Sequence, residues 1–159
     1  MLFLSNNVSY GQDINADTNK LHIITEIGTL TTNGNYSQAL TMCNKALKKY
    51  PNEPELYYWS ATIKSALGNL KSAIGDYDYL IKLNSKDGNA YVMRGIAKSE
   101  LSDYDGAIAD YNRAIYLNSK DSSAYLMRAC LKVEIGDIEG ASKDFDTANS
   151  IIEQTKKDK

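Results

Sequence analysis

The residue types that most often carry catalysis are scarce in this chain. Its 159 residues include one histidine, His22, and two cysteines, Cys43 and Cys130. No nucleophile–base–acid arrangement can be assembled around His22, which we interpret as a helix surface residue. The three side chains do not cluster as the ligands of a zinc site would. The sequence therefore predicts no catalytic residue, no metal site and no cofactor, and it does not predict an enzyme.

The composition excludes further classes of protein. The net charge of −2 at pH 7 lacks the basic excess that nucleic-acid binding usually requires. No run of about 18 to 20 apolar residues is present, so no membrane span is predicted. Two cysteines are too few for a disulfide framework. The 43% of hydrophobic residues is typical of a soluble folded protein.

The first 19 residues differ from the rest of the chain. Residues 1–4 are apolar, residues 5–12 are mostly small and polar, and Ser9-x-Gly11 has the small-x-small pattern that precedes signal-peptide cleavage. The charged start and most of the apolar stretch of a signal peptide are missing. We interpret residues 1–19 either as the remnant of an export signal or as the disordered leader of a cytoplasmic protein, with export favoured.

The chain after this segment repeats itself at a constant interval. The pentapeptide Leu-Asn-Ser-Lys-Asp occupies residues 83–87 and recurs at 117–121. Self-similarity at a fixed period of about 34 residues predicts a helical repeat protein. The same offset aligns three further sets: Ala39, Ala73, Ala107 and Ala141; Tyr77, Tyr111 and Phe145, with Cys43 in the first copy; and Gly34, Gly68 and Gly136, with Ser102 as the exception.

Each copy has the pattern of a helical hairpin. In residues 54–87, Pro54 suits the first turn of a helix, and Gly68 suits the left-handed residue that ends it. Apolar residues recur at helical spacing on both sides of that glycine. The connection is short, so the two helices must be antiparallel neighbours. Small residues at the crossing, such as Ala61 and Ala73, let the backbones approach closely.

These turns and alanines resemble the tetratricopeptide repeat family over residues 20–155. The resemblance implies an all-α fold, a right-handed superhelix of helix–turn–helix repeats. We place the repeats at 20–53, 54–87, 88–121 and 122–155, followed by a polar tail at 156–159. The motifs that carry the resemblance are Gly34-Asn35-Tyr36 before Ala39, Gly68-Asn69-Leu70 before Ala73, Asp103-Tyr104 before Ala107, and Gly136-Asp137-Ile138 before Ala141.

The resemblance also implies where a partner would bind. The concave face of such repeats is lined by the first helix of each hairpin, and its central positions here are mostly apolar. The Lys, Asn and Arg clamp with which some family members hold acidic tails is absent, so that function is not transferred. We predict that a peptide or helix of a partner protein binds at Tyr58, Trp59, Thr62, Val92, Met93, Ile96, Leu126, Met127 and Cys130.

A second set of recurring residues is charged. Arg94 and Arg128 occupy matching positions of successive copies, and so do Asp76, Asp110 and Asp144. We predict structural ion pairs in which Arg94 meets Asp76 or Asp110, and Arg128 meets Asp110 or Asp144. An anion site for a partner carboxylate is the alternative. A third series is interpreted as a solvated stripe: Lys64, Lys98 and Lys132.

Three functions remain open at this stage. The first is a protein- or peptide-binding adaptor, which the apolar positions favour. The second is a self-associating scaffold, because the last helix is expected to run on through Ile151 and Ile152 to Gln154 and to leave its outer face uncovered. The third is a non-catalytic subunit of a larger complex. The sequence does not identify the partner.

Overall fold

The computed structural model describes residues 7–158, with side chains from residue 18 onward, and the described residues form helices without strands. The extreme residues 1–6 and 159, which include the apolar start of the predicted leader, lie outside the described part of the chain. Eight helices follow one another: α1 (Asn7–Thr32), α2 (Tyr36–Lys49), α3 (Pro54–Ala66), α4 (Leu70–Leu83), α5 (Gly88–Glu100), α6 (Tyr104–Leu117), α7 (Ser122–Glu134) and α8 (Ile138–Lys157).

The start of α1 differs from our prediction. We placed the first repeat at residue 20, whereas α1 is helical from Asn7 and includes the Ser9-x-Gly11 pattern. No proline interrupts residues 7–32, so the backbone can continue the helix. The early residues of α1 show no apolar face from which that helix could be predicted. Among the helices that the structure describes, none is both long enough and apolar enough to cross a membrane.

Recurring cap residues set the helix boundaries. Asp87 and Asp121 are the N-caps of α5 and α7, and their carboxylates accept backbone N–H bonds from Ala90 and Ser123. These side chains satisfy donors that the first turn of a helix leaves free. Between the helices of each hairpin, Gly34, Gly68 and Gly136 have φ between 76° and 86°, and Ser102 takes the same role with φ 61°.

The chain divides into two compact units, residues 1–67 and residues 68–159. In the first unit, α1 packs on α2 and α3, and α2 packs on α3. Cys43 of α2 is fully buried, and its thiol donates to the carbonyl of Leu56 at 3.2 Å. Lys20 of α1 forms an ion pair with Glu53, the N-cap of α3, at 2.9 Å. The core of this unit includes Ile24, Ile27, Ala39, Cys43, Ala46, Leu56 and Ile63.

In the second unit each helix packs on the next, from α4 to α8, and α5 also contacts α7. Gly95 of α5 lies against Tyr111 of α6, and a Cβ at residue 95 would stand 2.7 Å from the Tyr111 ring. This approach is the close crossing that the recurring small residues predicted. The core of the unit includes Tyr91, Val92, Ala107, Tyr111, Ala114, Ala124 and Leu131.

Helix α8 runs six residues beyond the position that corresponds to the end of α6. Its apolar side chains Ala141 and Ala148 are buried, and Ile151 and Ile152 are half-buried. The exposed positions from residue 142 to 157 all carry polar or charged side chains, so the outer face of α8 is hydrated. Self-association through that face stays a prediction, and its polarity does not favour it.

Candidate functional site

Arg94 of α5 joins three consecutive helices. Its Nε donates to Asp110 of α6 at 2.9 Å and its Nη2 donates to the same carboxylate at 2.5 Å. Its Nη1 donates to Asp78 of α4 at 2.6 Å. Lys98, one turn further along α5, forms an ion pair with Asp110 at 2.8 Å. The planar guanidinium matches a carboxylate through two parallel bonds, so this arrangement fixes how α4, α5 and α6 lie against each other.

The same arrangement recurs in the next repeat. Arg128 of α7 makes two bonds to Asp144 of α8, at 2.8 and 2.5 Å, and one to the side-chain oxygen of Asn112 of α6, at 2.5 Å. Lys132 contacts Asp144 at 2.9 Å. The two copies differ at one position. The residue on the preceding helix is charged in the first copy, Asp78, and neutral in the second, Asn112.

These contacts show which residues of the predicted charge pattern pair with each other. Of the partners that we weighed, the structure pairs Arg94 with Asp110 and Arg128 with Asp144, within each hairpin rather than between hairpins. The interpretation of Lys98 and Lys132 as solvated is wrong, because their side chains are about one-fifth exposed and are paired with carboxylates. The contribution of Asp78 and Asn112 was missed. Their matching places in successive repeats were the signal, but the change from Asp to Asn concealed it.

Burial and ion pairing shift the pKa values of Asp144 and Arg94 in opposite directions. Burial raises the pKa of Asp144, but the hydrogen bonds and charges of Arg128 and Lys132 outweigh it, so the pKa of Asp144 lies below its usual value. The hydrogen bond to Asp110 raises the pKa of Arg94, burial lowers it, and Asp78 raises it further. Arg94 therefore stays charged, and the carboxylates paired with Arg94 and Arg128 occupy the bonding positions that a partner anion would need.

A first apolar surface lies on α3 in the first unit. Trp59 is half-buried, and its ring lies against the backbone of α1, since a Cβ at Gly28 would stand 2.9 Å from the indole Cζ2. Tyr58 meets Trp59 edge to face, with ring centroids 5.5 Å apart. Thr62 is also half-buried, and its hydroxyl donates to the carbonyl of Tyr58 at 2.9 Å. The predicted residues of this unit are therefore all partly accessible, and two of them, Tyr58 and Trp59, are in ring contact.

A second apolar surface lies on α5 and α7 in the second unit, where the two helices are in contact. Met93 and Ile96 of α5 and Leu126 and Met127 of α7 are half-buried. Cys130 is exposed and forms no disulfide. Ile96 and Met127 rest on the core of the unit, which holds both in place. We call these five residues the α5–α7 surface.

One predicted binding residue does not belong to that surface. Val92 is only 4% exposed, so its assignment to an accessible face is wrong. It lies in the core cluster that also contains Ala124 and Leu131 of α7. The neighbouring helix covers this position in α5, whereas Leu126, the matching residue of α7, remains half-buried.

His22 is exposed on α1, away from the cores. Among the residues that the structure describes, no group of three or more His, Cys, Asp or Glu side chains could hold a metal ion.

Comparison with known proteins agrees with the class that this fold defines, an all-α protein of helix–turn–helix repeats. Family models described as tetratricopeptide repeat match residues 30–87 and 88–121. The chain belongs to the tetratricopeptide repeat family, which confirms the resemblance and the predicted fold class. The family and the fold are those of protein-interaction modules. No curated protein matches the chain.

Several solved structures share the fold. A crystal structure of MamA covers 93% of this chain and 87% of its own, at 22% identity and a TM-score of 0.79. MamA from Desulfovibrio magneticus RS-1 covers 85% and 76%, at 18% identity and a TM-score of 0.78. TTC0263, a thermophilic TPR protein of Thermus thermophilus, covers 83% and 74%, at 21% identity and a TM-score of 0.75. The first TPR of Spaghetti (RPAP3), bound to the HSP90 peptide SRMEEVD, covers 73% and 92%, at 22% identity and a TM-score of 0.68.

Proposed function

We propose that the chain is a non-catalytic adaptor that binds an apolar peptide or the apolar face of a helix from a partner protein. The observation that carries this proposal is the α5–α7 surface. Four large apolar side chains there are only partly buried, and two of them, Ile96 and Met127, sit on a well-packed core. Leaving such side chains in water is unfavourable, and apolar patches of this kind usually mark interaction sites.

The residue types of the surface suit a partner of adaptable shape. Met93 and Met127 have flexible, polarizable side chains that can follow different apolar contours. Leu126 and Cys130 are four residues apart on α7, so they line the same side of one helix. Tyr58 and Trp59 of the first unit offer aromatic residues of the type that dominates binding energy at interfaces.

An acidic peptide is the partner that these residues fit least well. The RPAP3 structure holds a peptide with an acidic end. Here the arginines that could meet such an end are already paired with Asp110 and Asp144. The proposal therefore rests on apolar contact and not on carboxylate recognition.

Selection from a random peptide library tests the proposal. Peptides should be enriched on the wild-type chain but not on a variant that combines Met93→Glu and Leu126→Glu, and the enriched peptides should carry apolar residues at helical spacing. The matched control combines Asn149→Glu and Gln154→Glu on the hydrated face of α8, and it should select the same peptides as the wild type. Equal enrichment on the double variant, with its helical circular dichroism unchanged, would show that this surface does not bind.

A further inference from the structure

Two turns of the second unit concentrate negative charge. Residues 100–105 and 134–139, which connect α5 to α6 and α7 to α8, each contain three carboxylates and neither lysine nor arginine. The corresponding residues of the first two repeats, 32–37 and 66–71, contain no carboxylate at all. One carboxylate in each turn has a structural role, because Asp103 and Asp137 are the N-caps of α6 and α8 and accept N–H bonds from Gly106 and Gly140. The matching caps of the first two repeats are Asn35 and Asn69, and capping does not account for the other two carboxylates of each turn.

The same turns expose apolar side chains. Leu101 and Ile135 follow the ends of α5 and α7, Val133 lies in the last turn of α7, and Ile138 begins α8. These four make up half of the eight large hydrophobic side chains that are exposed in the described part of the chain, with Ile138 at 63% and Val133 at 48%. We call them the turn patch. Val133 lies three residues beyond Cys130 on α7, so the turn patch continues the α5–α7 surface.

A hydrogen bond brings the two turns together. The hydroxyl of Tyr104, at the start of α6, donates to the carboxylate of Glu134, at the end of α7, at 2.8 Å. Leu101 and Ile135 are therefore on adjacent turns. The carboxylates around them form what we call the rim, namely Glu100, Asp105, Glu134 and Glu139.

The rim is only weakly neutralised from within the unit. Lys98 and Lys132, the nearest lysines along α5 and α7, are paired with Asp110 and Asp144 instead. Lys143 pairs with Glu139 at 2.7 Å, but both side chains are largely exposed and the pair is therefore weak. Glu100 and Asp105 are exposed on α5 and α6. A partner cation would gain Coulomb attraction at this edge without having to displace a buried ion pair.

We infer that the partner segment is cationic, with lysines or arginines next to the apolar residues that cover the turn patch. This inference rests on the proposed function and adds the charge of the segment and the edge at which that charge lies. Complementary charge at the rim of an apolar interface accelerates association and selects against wrong partners. The loops at the other ends of the helices contain Lys86 and Lys120 together with Asp87 and Asp121, so they carry no net charge and the cationic residues of the segment are expected at the rim.

Two synthetic helices test the inference on the full chain. Each has about 14 residues, or four turns, with leucines on one face; the other face carries lysines in the first helix and glutamates in the second. Binding is measured by isothermal titration calorimetry at low and at high salt. The rim variant combines Glu100→Lys, Asp105→Lys and Glu139→Lys. A matched control makes the same change of net charge on α8 and its C-cap through Asp146→Lys, Glu153→Lys and Asp158→Lys.

We expect the lysine helix to bind the wild type more tightly than the glutamate helix, and salt to reduce the difference. The rim variant should lose about tenfold in affinity for the lysine helix, and the control variant should lose much less. Ile138→Asn should weaken binding of the lysine helix, because the apolar contact is part of the site.

The two proposals fail in different ways. Equal binding of both helices to the wild type, lost in the Met93→Glu and Leu126→Glu variant, would overturn the charge inference and leave the proposed function standing. The charge inference would also fall if the control variant lost as much affinity as the rim variant. Failure of both helices to bind the wild type would count against the proposed function itself.

Discussion

The two arginine clusters differ at one position, and that difference predicts unequal responses to the same substitution. In Asp144→Asn, Arg128 and Lys132 both lose their carboxylate, and Arg128 is left only with the neutral Asn112. In Asp110→Asn, Arg94 loses its two bonds to the carboxylate but keeps Asp78, 2.6 Å from its Nη1. The second cluster should therefore depend more strongly on its buried aspartate than the first.

The contacts set the size of the effect. Asp110 and Asp144 are each 4% exposed. Removing one partner of a buried ion pair costs about 3 to 5 kcal/mol. We expect about 3 kcal/mol for Asp144→Asn, the lower end, because the amide still accepts one hydrogen bond and the cations reach water. Asp78 is 56% exposed, so the pair that it retains with Arg94 contributes about 1 kcal/mol. Asp110→Asn should therefore cost about 2 kcal/mol.

Urea unfolding followed by far-ultraviolet circular dichroism measures both variants, and an unchanged m value shows that the comparison is valid. Hydrogen exchange of α7 and α8 separates local opening of the last hairpin from global unfolding, since repeat arrays can open from one end. Adding Asn112→Asp to Asp144→Asn should restore about 1 kcal/mol, because it recreates the arrangement at Asp78. The reasoning is refuted if Asp110→Asn costs as much as Asp144→Asn and Asn112→Asp restores nothing.

Three further predictions follow from single residues. Ser102→Gly should stabilise the chain by roughly 0.5 to 1 kcal/mol, because φ is 61° at residue 102 and glycine adopts that conformation without steric cost; thermal denaturation measures it, and a fall in Tm would contradict it. Gly95→Ala should destabilise by about 1 to 2 kcal/mol, since the added Cβ would meet the Tyr111 ring at 2.7 Å while the helix gains propensity; an unchanged urea midpoint would show that the ring moves freely. Because the pKa of Asp144 is lowered in the folded chain, its pairing stabilises the fold above about pH 4 and is lost as pH falls through the folded pKa. The loss of stability on acidification should therefore be shallower in Asp144→Asn than in the wild type.

The parts of the fold that the sequence predicted are those that repeat. Gly34, Gly68 and Gly136 marked three turns between helices, and Pro54 begins α3. The 34-residue period predicted these positions because the two helices of each copy pack in the same way. The start of α1 could not be found in this way, since residues before 20 have no counterpart in the other copies.

The surface was harder to predict than the helices. Periodicity gives every copy the same environment, but α7 covers Val92 while the matching Leu126 stays half-buried. The periodicity also gave no indication that Lys98 and Lys132 would turn towards buried carboxylates, since long side chains can reach several neighbours. The turn patch escaped the sequence analysis because Leu101, Ile135 and Ile138 continue the apolar pattern of the hairpins and look like core residues.

The contrasting environments of the two cysteines have a practical consequence. Cys130 is exposed, so a thiol reagent in water should modify it at once, whereas Cys43 is fully buried in the core of the first unit. Modification of Cys43 therefore has to wait for that core to open. In a Cys130→Ser background, the rate at which Cys43 is modified would report the transient opening of α1, α2 and α3 without any denaturant.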